Sequence, residues 1–207
     1  MGITATEGGG GQDFDPIEEG MHHAVCYAVY DLGTQRNDKF NKSERKIAVV
    51  WELPEQRIEL ERDGVTVELA RSKSKKYTLS LHKKANLRKD LESWRGQSFT
   101  EVELEGFDIT KLLGINCMMQ IIHEKKDDKT YANIASIVPL MKNMEKKKTE
   151  NDVVFFSFQD HTAIPDGTPE WIIDMIKESP EWDTLVNGLS SVDDTKPPIE
   201  DDDDVPF

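Results

Sequence analysis

Between His22 and Pro139 apolar and polar positions alternate in short runs broken by turn residues, and a period of two predicts strands. His22–Tyr30 is the first, with Val25, Tyr27 and Val29 on one face and Ala24, Cys26, Ala28 and Tyr30 on the other. Gly33 then lets the chain turn. Lys46–Leu53 is β-branched and aromatic and is stopped by Pro54. Arg57–Glu61 and Val65–Ala70 alternate around Arg62-Asp63-Gly64, the signature of a hairpin, and Lys75–Leu81 follows as a further strand.

The period then changes. Leu87, Leu91 and Trp94 fall on one helical stripe, with Asn86 placed to cap its start and Gly96 to take the left-handed position after its end. Asp108–Leu113 predicts a short helical turn closed by Gly114. Ile115–Glu124 and Thr130–Pro139 are strands joined by a polar loop, Lys125 to Lys129. The resulting fold class is mainly β with α. A single helix between the third and fourth main strands is the order of a five-stranded OB-fold barrel, here with an inserted hairpin. A small sandwich or another α+β sheet also fits this strand pattern.

Beyond Pro139 the pattern predicts an edge strand at Val153–Phe156 and two short helices within 165–188. Thr168-Pro169-Glu170-Trp171 and Ser179-Pro180-Glu181-Trp182 each offer a hydroxyl cap, Pro at the first helical position and then an acid. Their apolar residues Trp171, Ile172, Met175, Ile176, Trp182 and Leu185 pack on the barrel or on a partner. The chain thus divides into a flexible acidic, Gly-rich leader (1–20), a barrel (21–140), a helical extension (141–189) and a disordered acidic tail (190–207).

The 207 residues carry a formal net charge of −14, with 37% hydrophobic and 32% charged residues. The longest apolar run, Ile47 to Trp51, is far shorter than a membrane span, no secretory signal opens the chain, and two cysteines do not make a disulfide scaffold. These features predict a soluble, cytoplasmic, reduced protein. The charge is segregated. The last fifteen residues have a net charge of −6, whereas Arg71 to Arg95 holds nine bases against Asp90 and Glu92. A second basic stretch comprises Arg36, Lys39, Lys42, Arg45 and Lys46, and a third Lys142 with Lys146, Lys147 and Lys148. Concentrated bases act within a Debye length of about 8–10 Å, so an acidic chain can still bind a polyanion.

The terminal Asp201-Asp202-Asp203-Asp204-Val205-Pro206-Phe207 sets an apolar ring and an α-carboxylate on a polyanionic lead, a form suited to docking in a partner's pocket. This tip resembles that of bacterial and bacteriophage single-stranded DNA-binding proteins. Asp31 to Gln35, Trp51-Glu52-Leu53-Pro54 and the stretch Asn86 to Phe99 resemble a phage-type branch of these OB-fold proteins. The resemblance covers roughly residues 22–139 and the tail. It implies DNA coating in replication, recombination or repair inside a bacterial host cell, with Asp201 to Asp204, Val205, Pro206 and Phe207 recruiting replication or recombination proteins. Residues 142–188 fall outside the familiar cellular pattern, so tetramer formation is not carried over.

Sequence-independent binding needs rings for bases and cations for phosphates. Rings beside bases are Tyr30, Phe40, Trp51, Tyr77 and Tyr131, several of them expected as stacking platforms, and the cations are Arg36, Lys39, Lys42, Lys46, Lys73, Lys75 and Lys76. Trp94 shares the stripe of Leu87 and Leu91 and reads as core. The five histidines lack metal spacing, Pro165-Asp166 with Glu170 lacks the lysine of a nuclease motif, and no nucleophile–base pair stands out. No cofactor and no enzymatic activity are expected. The competing reading is an acidic DNA mimic or adaptor that binds a host DNA-processing enzyme.

Overall fold

The computed structural model describes residues 15–37, 41–62 and 64–192. It is mainly β with several helices. Strands β1 (Gly20–Asn37), β2 (Lys42–Arg62) and β3 (Val65–Thr78) precede helices α1 (Asn86–Arg95) and α2 (Glu101–Glu105) and a 3₁₀ turn at Ile109–Leu112. Then come β4 (Asn116–Lys126), β5 (Lys129–Pro139), β6 (Val154–Phe156), α3 (Glu170–Lys177) and α4 (Pro180–Val192). The strands form one open antiparallel sheet in the order β3-β2-β1-β4-β5, with β6 added parallel to β1. Among the described residues no ladder joins the edges β3 and β5, so the sheet does not close on itself.

β1 changes neighbours halfway along. Gly20–Val25 pairs with β4, and Val25–Asn37 pairs with β2. The register slips between Cys26 and Ala28, leaving Tyr27 as the extra residue of a bulge. A bulge reverses the alternation, so the faces expected for β1 are exchanged beyond it. Ala24, Cys26 and Val29 enter one core, while Ala28, Tyr30 and Leu32 enter another. Gly33 is likewise not a turn. It sits in a second register shift inside β1, at φ +68°, with its N–H on Asp31 Oδ1 at 3.0 Å.

The inserted hairpin is the distal half of the β2–β3 ladder, which runs unbroken apart from a shift between Leu53 and Arg57. Pro54 stands in that shift, where its missing N–H removes no ladder bond, so it bends β2 instead of ending it. Arg57 braces the bend by donating to Pro54 O and to Glu68. The β4–β5 loop narrows to Asp127 and Asp128, both at positive φ, as a two-residue hairpin turn requires.

The first core gathers Val49 and Trp51 from β2, Met119 and Ile121 from β4, Ile137 from β5 and the α1 stripe Leu87, Leu91 and Trp94. Trp51 and Trp94 meet at 5.6 Å. α1 ends at Gly96 as expected, but Ala85 takes the N-cap position with no side-chain bond. α2 was not anticipated, although Thr100 and Glu103 form a capping box legible in the sequence. α1 spans the two sheet edges: Asp90 receives Lys75 and Tyr77 of β3, and Ser93 Oγ donates to Ile137 O of β5 at 2.7 Å.

The second core lies on the opposite face of β1 and β2, where Ala28, Tyr30, Leu32, Ala48 and Val50 are covered by Phe156, Ile172 and Ile176. The C-terminal helices therefore pack on the sheet. Ser179 caps α4, accepting from Trp182 N at 3.3 Å, whereas the Thr168 hydroxyl turns back to Pro165 O and Pro169 occupies the α3 N-cap. The connector before β6 is tied down by buried polar groups. Glu52, fully buried, accepts from Glu150 N, Asn151 N and Asn151 Nδ2 at 2.6–3.1 Å. The Asn116 amide brackets the backbone N–H and C=O of Lys147.

Gly33 meets the α3–α4 junction so closely that a Cβ would lie 2.5 Å from Ser179 Cβ, whereas Gly64, also at positive φ, has nothing within 4 Å. Gly64→Ala is expected to cost about 1 kcal/mol of backbone strain, and Gly33→Ala about 3 kcal/mol because the helices must also move. Urea unfolding of both variants measures the difference. Burial pushes the Cys117 thiol up to about 12, and Cys26, buried beside it, higher still. At pH 8 both are expected to resist a soluble alkylating reagent in the native protein and to react once it is unfolded, with mass spectrometry counting the adducts.

Candidate nucleic-acid interface

From Arg71 to Lys89 the chain contains eight bases and no acid. The fold lays this run along an exposed sheet edge, β3, and onto the start of α1. Alternation then sorts the side chains. Lys73, Lys75 and Tyr77 oppose Trp51, Val49 and Ile47 on the first-core face, while Lys76 opposes Ala48 on the other. The Lys75 ammonium bonds Asp90 at 2.7 Å, and the Tyr77 hydroxyl donates to the same oxygen at 2.8 Å. Lys76 is exposed, with its ammonium 5.6 Å from the Trp171 ring centroid and 3.7 Å from Met175 Sδ.

Beyond β3, Lys83, Lys84 and Lys89 are exposed, and their ammonium groups make no ion pair among the described residues. α1 has no acid in its first turn and no side-chain cap, so the positive end of its dipole adds to their field. The nearest acids are occupied: Asp90 holds Lys75, and Glu92 holds Arg88 at 3.0 Å. The candidate cations thus extend past those expected to Lys83, Lys84 and Lys89, whose signal was the uninterrupted run of like charge itself.

The second basic stretch is divided. Arg36 and Lys42 are exposed near the end of the β1–β2 hairpin. Lys39 and Phe40 lie outside the described residues, as does the tip Asp201 to Phe207. Lys46 bonds Glu44 and Thr78 Oγ1, both at 2.8 Å, joining β2 to β3. Arg45 is held by the Asp31 carboxylate, which pushes the guanidinium pKa up through hydrogen bonding.

Three expected platforms are corrected. Tyr30 is 3% exposed, Trp51 1% and Tyr77 4%, so none presents a ring face to a strand. Trp51 and Tyr77 point inward because their strands put that face on the first core. Tyr30, turned over by the Tyr27 bulge, is sealed beneath the C-terminal helices. Tyr131 is 45% exposed, opposite Glu124 on the β4–β5 hairpin. Two rings not nominated from the sequence are half-buried at β3. The hydroxyl of Tyr27 lies 3.2 Å from Ser72 Oγ, and Trp171 lies beneath Lys76. No strand period signals either, since one is a bulge residue and the other arrives on α3.

What the arrangement offers chemically is a ridge of cations, with Lys76, Lys83, Lys84 and Lys89 facing solvent, beside partly exposed rings. Among the described residues no group of three or more His, Cys, Asp or Glu side chains is placed to hold a metal ion. Comparison of the chain with protein-family models, curated proteins and solved structures yields no match.

Proposed function

We propose that this chain is a sequence-independent single-stranded DNA-binding protein of the OB type. The observation that carries the reading is the run of eight bases and no acid from Arg71 to Lys89, laid as a ridge along β3 and the start of α1 on a chain of net charge −14. Such a ridge suits a phosphate backbone, whose neutralisation releases counterions and supplies affinity without reading sequence. Lys73, Lys75, Lys76, Lys83, Lys84 and Lys89 are the proposed phosphate contacts, with Arg36 and Lys42 continuing them at the β1–β2 hairpin. Trp171, Tyr27 and Tyr131 are the rings available to bases, each stacked base contributing about 1–3 kcal/mol.

The connectivity supports an OB-like barrel. In the five-stranded path three strands precede α1 and two follow it, β1 is shared between β2 and β4, and α1 bonds both β3 and β5. On this reading the tip Asp201 to Phe207 recruits replication or recombination proteins in a bacterial host cell. Its negative charge also draws it to the basic ridge when no DNA is bound. A DNA mimic is the second reading. It is favoured by exposed Glu55, Glu59, Glu61 and Glu68 on the distal β2–β3 hairpin.

A gel shift with labelled oligo-dT decides between these readings. Retarded DNA is expected, and no binding combined with inhibition of a nuclease or polymerase would establish the mimic instead. In fluorescence titrations the log of affinity should fall with log salt by about 0.7 per phosphate contact. Replacing Lys83, Lys84 and Lys89 together by Ala is expected to make that slope shallower by about 2; an unchanged slope would take these residues out of the interface. Removing Glu200 to Phe207 should tighten DNA binding at low salt and abolish capture of replication partners. Equal affinity with and without the tail rules out the competition.

A further inference from the structure

A pocket of about 240 Å³ opens where β3 ends, with Ile47, Leu79 and Phe155 among its apolar walls and Asp31, Arg45 and Gln159 among its polar ones. It adjoins the basic ridge directly, since Leu79 follows Thr78 and donates its N–H to Arg45 O at 2.8 Å. Asp31 is buried and fully engaged. It accepts from Gly33 N at 3.0 Å, from Arg45 Nε at 3.2 Å and from Arg45 Nη2. The guanidinium plane is thereby fixed, while the Arg45 side chain keeps 36% exposure. Gln159 is exposed and makes no hydrogen bond among the described residues, so its amide is free to pair.

These features define the ligand. The carboxylate of Asp31 neutralises Arg45, so the pocket is a poor seat for a phosphate. Apolar walls with a phenyl ring, a fixed guanidinium plane and a free amide suit a flat heteroaromatic with polar edges. We propose that the pocket receives one base of the bound single strand, unstacked from its neighbours. The proposal rests on the DNA-binding reading above. In a single strand no pairing opposes extrusion, so only stacking is lost when the base enters. Ile47, which lines the pocket, faces Tyr77 across the β2–β3 ladder, so the pocket opens on the face of β3 that carries Lys73 and Lys75.

The test uses the full chain, an oligo-dT carrying one 2-aminopurine, and two variants. Leu79→Trp fills the pocket from a half-exposed position, and Arg45→Lys keeps the charge but removes the plane. With the native protein the probe's fluorescence should rise as the base leaves its stack. Leu79→Trp should abolish the rise and weaken binding about tenfold, with an unchanged salt slope because no phosphate contact is lost. Arg45→Lys should reduce both signals. If the native protein binds and both variants match it in affinity and fluorescence, the pocket takes no base and the DNA-binding reading stands. If the native protein binds no DNA, both fall. Melting curves identify a misfolded Leu79→Trp chain, in which case Arg45→Lys alone decides, and unchanged behaviour overturns the proposal.

Discussion

One extra residue in β1 governs the architecture. A strand of strict alternation would present the same side chains to one core along its whole length. The bulge at Tyr27 turns β1 over, so its first half pairs with β4 and its second half serves β2 and, through Ala28–Tyr30, β6. That change of hand creates a second apolar surface, Ala28, Tyr30 and Leu32, which cannot be left in water. The C-terminal extension exists in its observed place because it covers that surface. α1 serves the two unpaired edges of the open sheet, Asp90 bonding β3 and Ser93 bonding β5.

Electrostatics follows the same division. Across most of the molecule bases are answered locally: Arg57 by Glu68 and Glu150, Lys147 by Glu55, Arg95 by Glu103 and Arg45 by Asp31. Such pairs contribute little stability where they are exposed, but they remove cations from the far field. Lys83, Lys84 and Lys89 are different, because the chain places no acid among them. A net anionic protein can therefore present a cationic edge without contradiction. Screening confines each region's influence to its own neighbourhood.

Local signals were readable from the chain alone. The stripe of Leu87, Leu91 and Trp94, the stop at Gly96 and the strands of β4 and β5 depend on near neighbours, and they stand where periodicity put them. The positions of the rings were not readable, because which face of a strand lies inward depends on distant partners. Trp51 and Tyr77 look alike as aromatic strand residues beside lysines, yet the β2–β3 register turns both toward Trp94 and Asp90. Tyr30 needed two facts no local window holds, the Tyr27 bulge and the arrival of Phe156 and Ile172. α2, by contrast, was within reach: the Thr100–Glu103 capping box is a short-range signal.

The buried carboxylate of Glu52 has a further consequence for where the folding unit ends. Its three donors all come from Glu150 and Asn151, well beyond the last strand of the five-stranded path. A fragment cut after Pro139 would leave the buried Glu52 carboxyl group without its hydrogen-bond donors, beside an Asn116 amide stripped of Lys147. The connector thus satisfies a buried polar group of the sheet, and the minimal autonomous piece of this chain is expected to reach at least to Asn151.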